Sequence, residues 1–278
     1  KTLSKSTLNS LLRYEFEAVK RMEHLHLVKV FDLGKVFQVE GRDGPLLDTM
    51  FFTSEFVNGS ASNQWIKTIA EPGIGRVAAA VRIVSAVASA LDLVHRYGLL
   101  HRDIKPSNIL VGDEGHTVRL IDFGLAVDGK VSDGLKAGTI GYTAEEALHG
   151  FPEERSDIYS LGITLIELLT DKKPRAFFPP YPNNVLHSVV KATDSDLLNA
   201  IIERMTSQKA ERRFFCAGDV SKALSLIINI GATQQYSLSD IICETYSTSD
   251  KGGRVTKARS IRLSGRLKET EKLLSIFE

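Results

Sequence analysis

Residues 156–170, SDIYSLGITLIELLT, are apolar nearly all the way round a helical projection. A helix of that kind cannot lie on a surface. It needs packing partners on every side, so the chain must build a domain thick enough to wrap it. With 278 residues the chain has the length for one large domain or two small ones, and for a proper core.

The rest of the pattern says what surrounds that helix. Leu8, Leu11, Leu12, Phe16, Val19 and Met22 recur at helical spacing and predict a helix over 6–24. LVKVFDLGKVFQV and LDTMFFTSEFV read as strands joined by the turn-rich EGRDGP. Helical segments follow from about 62 to 97. NILVGDEGHTVRLIDFG, residues 108–124, has the form of a hairpin, two short apolar strands around a Gly/Asp turn. DSDLLNAIIERMT and AGDVSKALSLIINI predict two amphipathic helices. Residues 231–264 turn rich in Ser, Thr, Gly and Gln and read as a linker. Strands come early and helices late. The fold class is therefore α+β, with a small sheet-bearing part and a larger helical part.

Bulk properties exclude several functions. The formal net charge is +1, so no global field marks a nucleic-acid binder. The two cysteines, Cys216 and Cys243, match no metal spacing and fit a reducing, cytoplasmic setting. VAAAVRIVSAVASALDLV carries Arg82 and Asp92 and is rich in Ala and Ser, which predicts a buried helix rather than a membrane span.

The chemistry concentrates in LLHRDIKPSNILV, residues 99–111. It packs His101, Arg102, Asp103, Lys105 and Asn108 between two apolar runs, an expensive arrangement unless something anionic and metal-bound sits over it. Asp103 can accept a proton from a hydroxyl. Lys105 can neutralise a phosphate, and Asn108 offers a neutral oxygen suited to Mg²⁺. Asp122, in IDFG at the end of the next strand, can share that metal across the hairpin. A base, a cation and two oxygen ligands around one point are what phosphoryl transfer requires.

HRDIKPSN followed by DFG resembles the catalytic loop and metal-binding motif of eukaryotic-type (Hanks-type) serine/threonine protein kinases, of the bacterial kind. AGTIGYTAEEA is similar to that family's G-T-x-x-Y-x-A-P-E segment, with Glu145 in place of proline and Glu146 at the glutamate. The resemblance pairs Glu146 with Arg213, with Arg212 as the rival, and assigns Asp157 to holding the backbone of the catalytic loop. EFVNG resembles the hinge between lobes: the backbones of Glu55 and Val57 would meet adenine, with Ser54 as gatekeeper and Leu110 also at the nucleotide. YEFEAVKRMEHLHLVKV is similar to the regulatory helix, which places Glu15 at the ion-pairing glutamate. The stacked hydrophobic spine would be Val30, Val19, Phe123 and His101.

The resemblance covers about residues 1–230. It implies a two-lobed kinase-like fold, with residues 1–57 as an incomplete β-rich small lobe, 58–230 as the helical large lobe, 231–264 as linker and 265–278 as the start of a following domain. It implies ATP and Mg²⁺ as cofactors and a protein substrate with Ser or Thr acceptors. Lys105 and Thr139 form the serine/threonine pattern; tyrosine-directed members carry Arg-containing loops instead. Arg102 could read a phosphate on the activation segment, with Ser132 the candidate acceptor, or Ser132 is an unmodified loop serine.

No G-x-G-x-x-G turn precedes the regulatory helix; PGIGR at 72–76 lacks the third glycine and a strand before it and reads as a loop. Lys1, fourteen residues before Glu15, falls at the family's strand lysine, or is an arbitrary first residue. The chain thus reads as N-terminally truncated, from a larger signalling protein. Its basic stretch at 251–268 reads as a solvated linker, with anionic lipid or nucleic acid as the alternative. LSGRLKETEKLLSIFE faintly resembles the opening of ATPase domains that follow some bacterial kinases, so a downstream ATPase or sensor domain is expected. The rival from another class is a pseudokinase scaffold. A small-molecule kinase is a third reading, against which GTIGYTAEE counts.

Overall fold

The computed structural model describes residues 5–36, 50–69, 74–112, 115–122, 138–174, 196–233, 241–242 and 262–263. The chain opens with helix α1 (Lys5–Lys20), then strands β1 (Val30–Lys35), β2 (Met50–Ser54) and β3 (Gly59–Ala61). Helix α2 (Ser62–Trp65) and a 3₁₀ turn lead to α3 (Ile74–Arg96). A second 3₁₀ turn, Pro106–Asn108, runs into β4 (Ile109–Gly112) and β5 (Val118–Leu120). The helical part continues with α4 (Glu145–Leu148), α5 (Glu154–Thr170), α6 (Asp196–Met205) and α7 (Ala217–Thr233). The fold is α+β, with two lobes.

The small lobe pairs β1 with β2 antiparallel, Leu33 opposite Phe52 and Lys35 opposite Met50, with an irregularity between Val30 and Leu33. Phe16 and Val19 of α1 are buried at helical spacing, Met22 just beyond its end is buried too, and Phe16 meets the ring of Phe52 at 6.3 Å. The large lobe holds a three-stranded antiparallel sheet in the order β3-β4-β5. The lobes join where Leu27 bridges Leu120 in parallel, with Val28 N–H on the Leu120 carbonyl at 3.1 Å. The hairpin that carries Asn108 and Asp122 is thereby tied to the loop that follows α1.

The helix with no polar face behaves as its sequence demands. Every residue of α5 from Ser156 to Leu169 is buried. Each fully buried Leu or Ile there contributes about 1.5–3 kcal/mol of transfer free energy. Glu153 and Ser156 form a capping box at its start, and Asp171, at φ 57°, ends it with its N–H on the Glu167 carbonyl. Gly162 lets α6 approach: a Cβ there would lie 2.7 Å from Thr206 Cγ2 and 2.9 Å from Met205 Cβ. Helix α3 is long and apolar enough to cross a membrane by length and composition, yet 72% of its apolar window is buried, and it packs on α5 and α7.

Three expectations shift. PGIGR is not all loop, because α3 begins at Ile74 and takes Gly75 and Arg76 into its first turn. Helix α1 ends at Lys20 rather than at residue 24, since His24 and His26 leave the helix to bond Ser89 and the Val118 carbonyl. The stretch read as linker is not uniformly irregular: α7 runs on to Thr233, and Ile241–Ile242 pairs antiparallel with Arg262–Leu263. Lys1, Phe123 and Ser132 lie outside the described residues, as does the basic stretch except Arg262 and Leu263.

Candidate active site

Asp157 organises the loop from below. It is buried in the first turn of α5, where its Oδ2 accepts the His101 N–H at 2.8 Å and its Oδ1 the Arg102 N–H at 2.8 Å. The buried His95 of α3 donates to the same Oδ2 at 2.9 Å. Burial alone would raise this carboxyl; the hydrogen bond and charge of His95 outweigh it and hold Asp157 below the usual carboxylate range. The two backbone bonds matter because Arg102 has φ 65°, a conformation that costs a bulky residue on the order of 1–3 kcal/mol. Asp157 keeps the chain in that bend.

His101 is fully buried and desolvation lowers its pKa. Its Nε2–H donates to the Ile121 carbonyl at 3.1 Å, while Nδ1 faces the Asp103 N–H at 3.4 Å. The neutral ring thus braces the loop against the strand that delivers Asp122.

Above this support the reactive groups converge. Thr139 Oγ1 donates to Asp103 Oδ1 at 2.7 Å. Lys105 Nζ donates to Asp103 Oδ2 at 2.5 Å and to Thr139 Oγ1 at 2.9 Å. Asn108 Nδ2 donates to the Asp103 carbonyl at 2.9 Å and to its Oδ2 at 3.1 Å. Burial opposes ionisation of Asp103, but the bonds from Lys105 and Thr139 prevail and keep it a carboxylate. With its amide nitrogen turned to Asp103, Asn108 has its carbonyl oxygen on the other side, where Ser107 Oγ lies 3.4 Å away. The Ile121 N–H donates to the backbone carbonyl of Asn108 at 3.0 Å, which brings Asp122, exposed and at φ 64°, close to Asn108.

The segment carrying Thr139 is locked in place. Gly138, at φ 111°, passes so close to Thr143 Oγ1 that a Cβ would lie 2.4 Å away. Glu145 is the first residue of α4, the helical position that tolerates proline because its N–H has no partner within the helix. An acidic residue there suits the helix dipole, so the departure from the family's proline leaves the local structure intact.

Glu146 then takes a bidentate hold on the fully buried side chain of Arg213, at 2.6 and 3.1 Å, and accepts Ser156 Oγ at 2.7 Å. Arg212, the alternative partner, is exposed at the end of a 3₁₀ turn. Burial works against the Glu146 carboxylate, and the Arg213 guanidinium reverses this and lowers its pKa. Glu146→Ala is expected to cost about 2–3 kcal/mol, less than a fully buried pair because Glu146 is partly exposed. Urea unfolding should show a lowered midpoint at unchanged slope. Arg212→Ala should stay within about 0.5 kcal/mol.

Other candidates are placed more loosely. Glu55 and Val57 follow β2, half-buried, and Leu110 lies half-buried on β4 opposite Ala61 and Arg119. Ser54 ends β2, exposed, and Val30 begins β1. Glu15 lies on α1, with its side chain outside the described set. One pairing has no counterpart in the sequence reading: Tyr142, the tyrosine of the GTIGY segment, donates a short hydrogen bond to Glu167 of α5, and burial followed by that bond's effect raises the tyrosine pKa. The signal was there in LIELL, since an acid on a helix buried all round must have a partner.

Among the described residues no group of three or more His, Cys, Asp and Glu side chains could hold a metal. Asn108 and Asp122 still suit Mg²⁺, which binds through one or two protein oxygens and completes its shell with water and phosphate.

Comparison with known proteins places the chain in a family. The protein kinase domain family matches residues 1–235. Serine/threonine-protein kinase PknL of Mycobacterium tuberculosis is 36% identical over 167 residues, 58% of this chain and 38% of that protein. Serine/threonine-protein kinase PknJ of the same species is 31% identical over 245 residues, covering 79% of this chain and 38% of that protein. The chain thus spans well under half the length of these curated relatives. The crystal structure of the M. tuberculosis PknI kinase domain superposes with a TM-score of 0.58 at 24% identity, over 81% of this chain and 83% of that one, a likeness of fold.

Proposed function

This chain belongs to the protein kinase family, and from that premise we propose that it transfers the γ-phosphate of ATP to serine and threonine hydroxyls of protein substrates. The observation that carries the reading is the closed set of hydrogen bonds among Asp103, Lys105, Asn108 and Thr139. Such a set pre-positions a base and a cation beside a hard-metal oxygen.

Asp103 orients the acceptor hydroxyl and takes its proton as the new ester forms. Lys105 lies between Asp103 and the incoming phosphate and balances its charge. Thr139 fixes both side chains and ties them to the segment on which a protein substrate would lie. Asn108 through its carbonyl oxygen, and Asp122 through its carboxylate, would hold Mg²⁺. When bound, that ion neutralises phosphate oxygens and orients the transferred group. The backbones of Glu55 and Val57, with Leu110, receive the adenine, and Lys1, ion-paired with Glu15, places the inner phosphates.

The test is phosphate incorporation into a mixed protein substrate by the native protein, compared with a metabolite panel. Wild type should label protein only with Mg²⁺ present, and Asp122→Ala should lose about 10²-fold or more. Labelling of metabolites instead would point to a small-molecule kinase. Nucleotide binding with no transfer, or neither, would favour the scaffold.

A further inference from the structure

Arg119 lies on β5, three residues before Asp122, opposite Leu110. Its side chain reaches back toward the hinge. Nε donates to Glu55 Oε1 at 2.7 Å, and Nη1 donates to the Leu25 carbonyl, in the turn after α1, and at 3.3 Å to that of Val118. The same Glu55 oxygen accepts the Lys29 N–H at 3.2 Å, and the Glu55 N–H donates to the Lys29 carbonyl at 2.9 Å. One guanidinium therefore joins three stretches distant in sequence: the turn after α1, the hinge and the strand leading to Asp122.

The pair differs from an ordinary surface ion pair, which contributes little because solvent screens it. The two side chains are only 17% and 21% exposed. A guanidinium also holds its donors in a fixed fork, so engaging the Glu55 carboxylate and the Leu25 carbonyl together sets a direction as well as a distance.

We propose that Arg119 is a positioning residue for the nucleotide. It holds the hinge backbone at Glu55 at a constant offset from the strand that carries Asp122, so the adenine end and the metal end of the site are set by one side chain. The proposal rests on the kinase reading above. Its benefit is preorganisation: a hinge already ordered loses less freedom when the base docks.

The test compares wild type, Arg119→Gln and Arg119→Lys in the native protein. Amide hydrogen exchange at residues 55–57 is followed without nucleotide, and the KM for ATP and kcat are followed with it. In Arg119→Gln, hinge exchange should accelerate and the KM for ATP should rise roughly tenfold, while kcat moves less than about twofold and the KM for protein substrate stays put. Arg119→Lys should recover part of both effects, because one ammonium can face Glu55 but lacks the fork that also reaches Leu25. Unchanged hinge exchange, an unchanged KM for ATP, or a rise in kcat would each overturn the proposal. If wild type transfers no phosphate, the kinase reading has failed, and unchanged exchange in Arg119→Gln would separately refute the clamp.

Discussion

Asp103→Asn is expected to lower phosphate transfer by about 10²–10⁴-fold, the range typical of a positioned acid or base. The substitution keeps the size of the side chain and removes its charge. Thr139 and Asn108 would each still find a neighbouring oxygen, whereas the Lys105 ammonium would face an amide in place of a carboxylate 2.5 Å away. The KM for ATP should change less than kcat, because Asp103 itself meets neither adenine nor metal in this reading and its backbone carbonyl still holds the Asn108 amide. Activity of the unmodified protein should fall at acid pH. The Asp103 carboxyl sits below its ordinary range, so the ionised form persists at neutral pH and is lost only as pH drops through that lowered value. Initial rates across pH, with far-UV circular dichroism to confirm folding, check this.

Asp157→Ala should produce the largest loss of stability, about 3–5 kcal/mol, the usual cost of removing one partner from a buried charged network. It leaves the N–H groups of His101 and Arg102 without their carboxylate and the buried His95 without its acceptor. A loss that size is a large share of a typical domain's stability, so the variant should melt many degrees lower and lose activity through the loop. Asp157→Asn, which keeps one acceptor oxygen, should lie between. The pH dependence has a definite sign. Because the folded-state carboxyl is depressed, its contribution is present above the ordinary aspartate range near about 4 and is lost as pH falls through the folded value. The stability gap between wild type and Asp157→Ala should therefore narrow in acid, a result that paired denaturant titrations at two pH values would show.

What could be read from residues alone was what has a local signature. The all-round apolar pattern of SDIYSLGITLIELLT forced a central helix, and α5 is that helix. The dense polar run at 101–108 demanded an unusual environment, and it has one. Boundaries were harder, as at Ile74, where a helix started inside a glycine-containing stretch because the apolar periodicity beyond it outweighed the cost of Gly75 in the first turn. Long-range polar pairs left no trace in periodicity. Arg119 and Glu55 are 64 residues apart, and His95 and Asp157 are 62 apart. Nothing near any of these residues reveals its partner. Glu146 with Arg213 was legible only through family resemblance, and the choice over Arg212 needed the fold, which buries one side chain and exposes its neighbour.

The most direct test of the central claim is to map, residue by residue, where phosphate appears when the native protein meets ATP, Mg²⁺ and a mixed protein substrate. The site built from Asp103, Lys105, Asn108, Asp122 and Thr139 predicts phosphoserine and phosphothreonine, present with wild type and missing with Asp103→Asn. Phosphotyrosine, or an equal yield from both proteins, would contradict it.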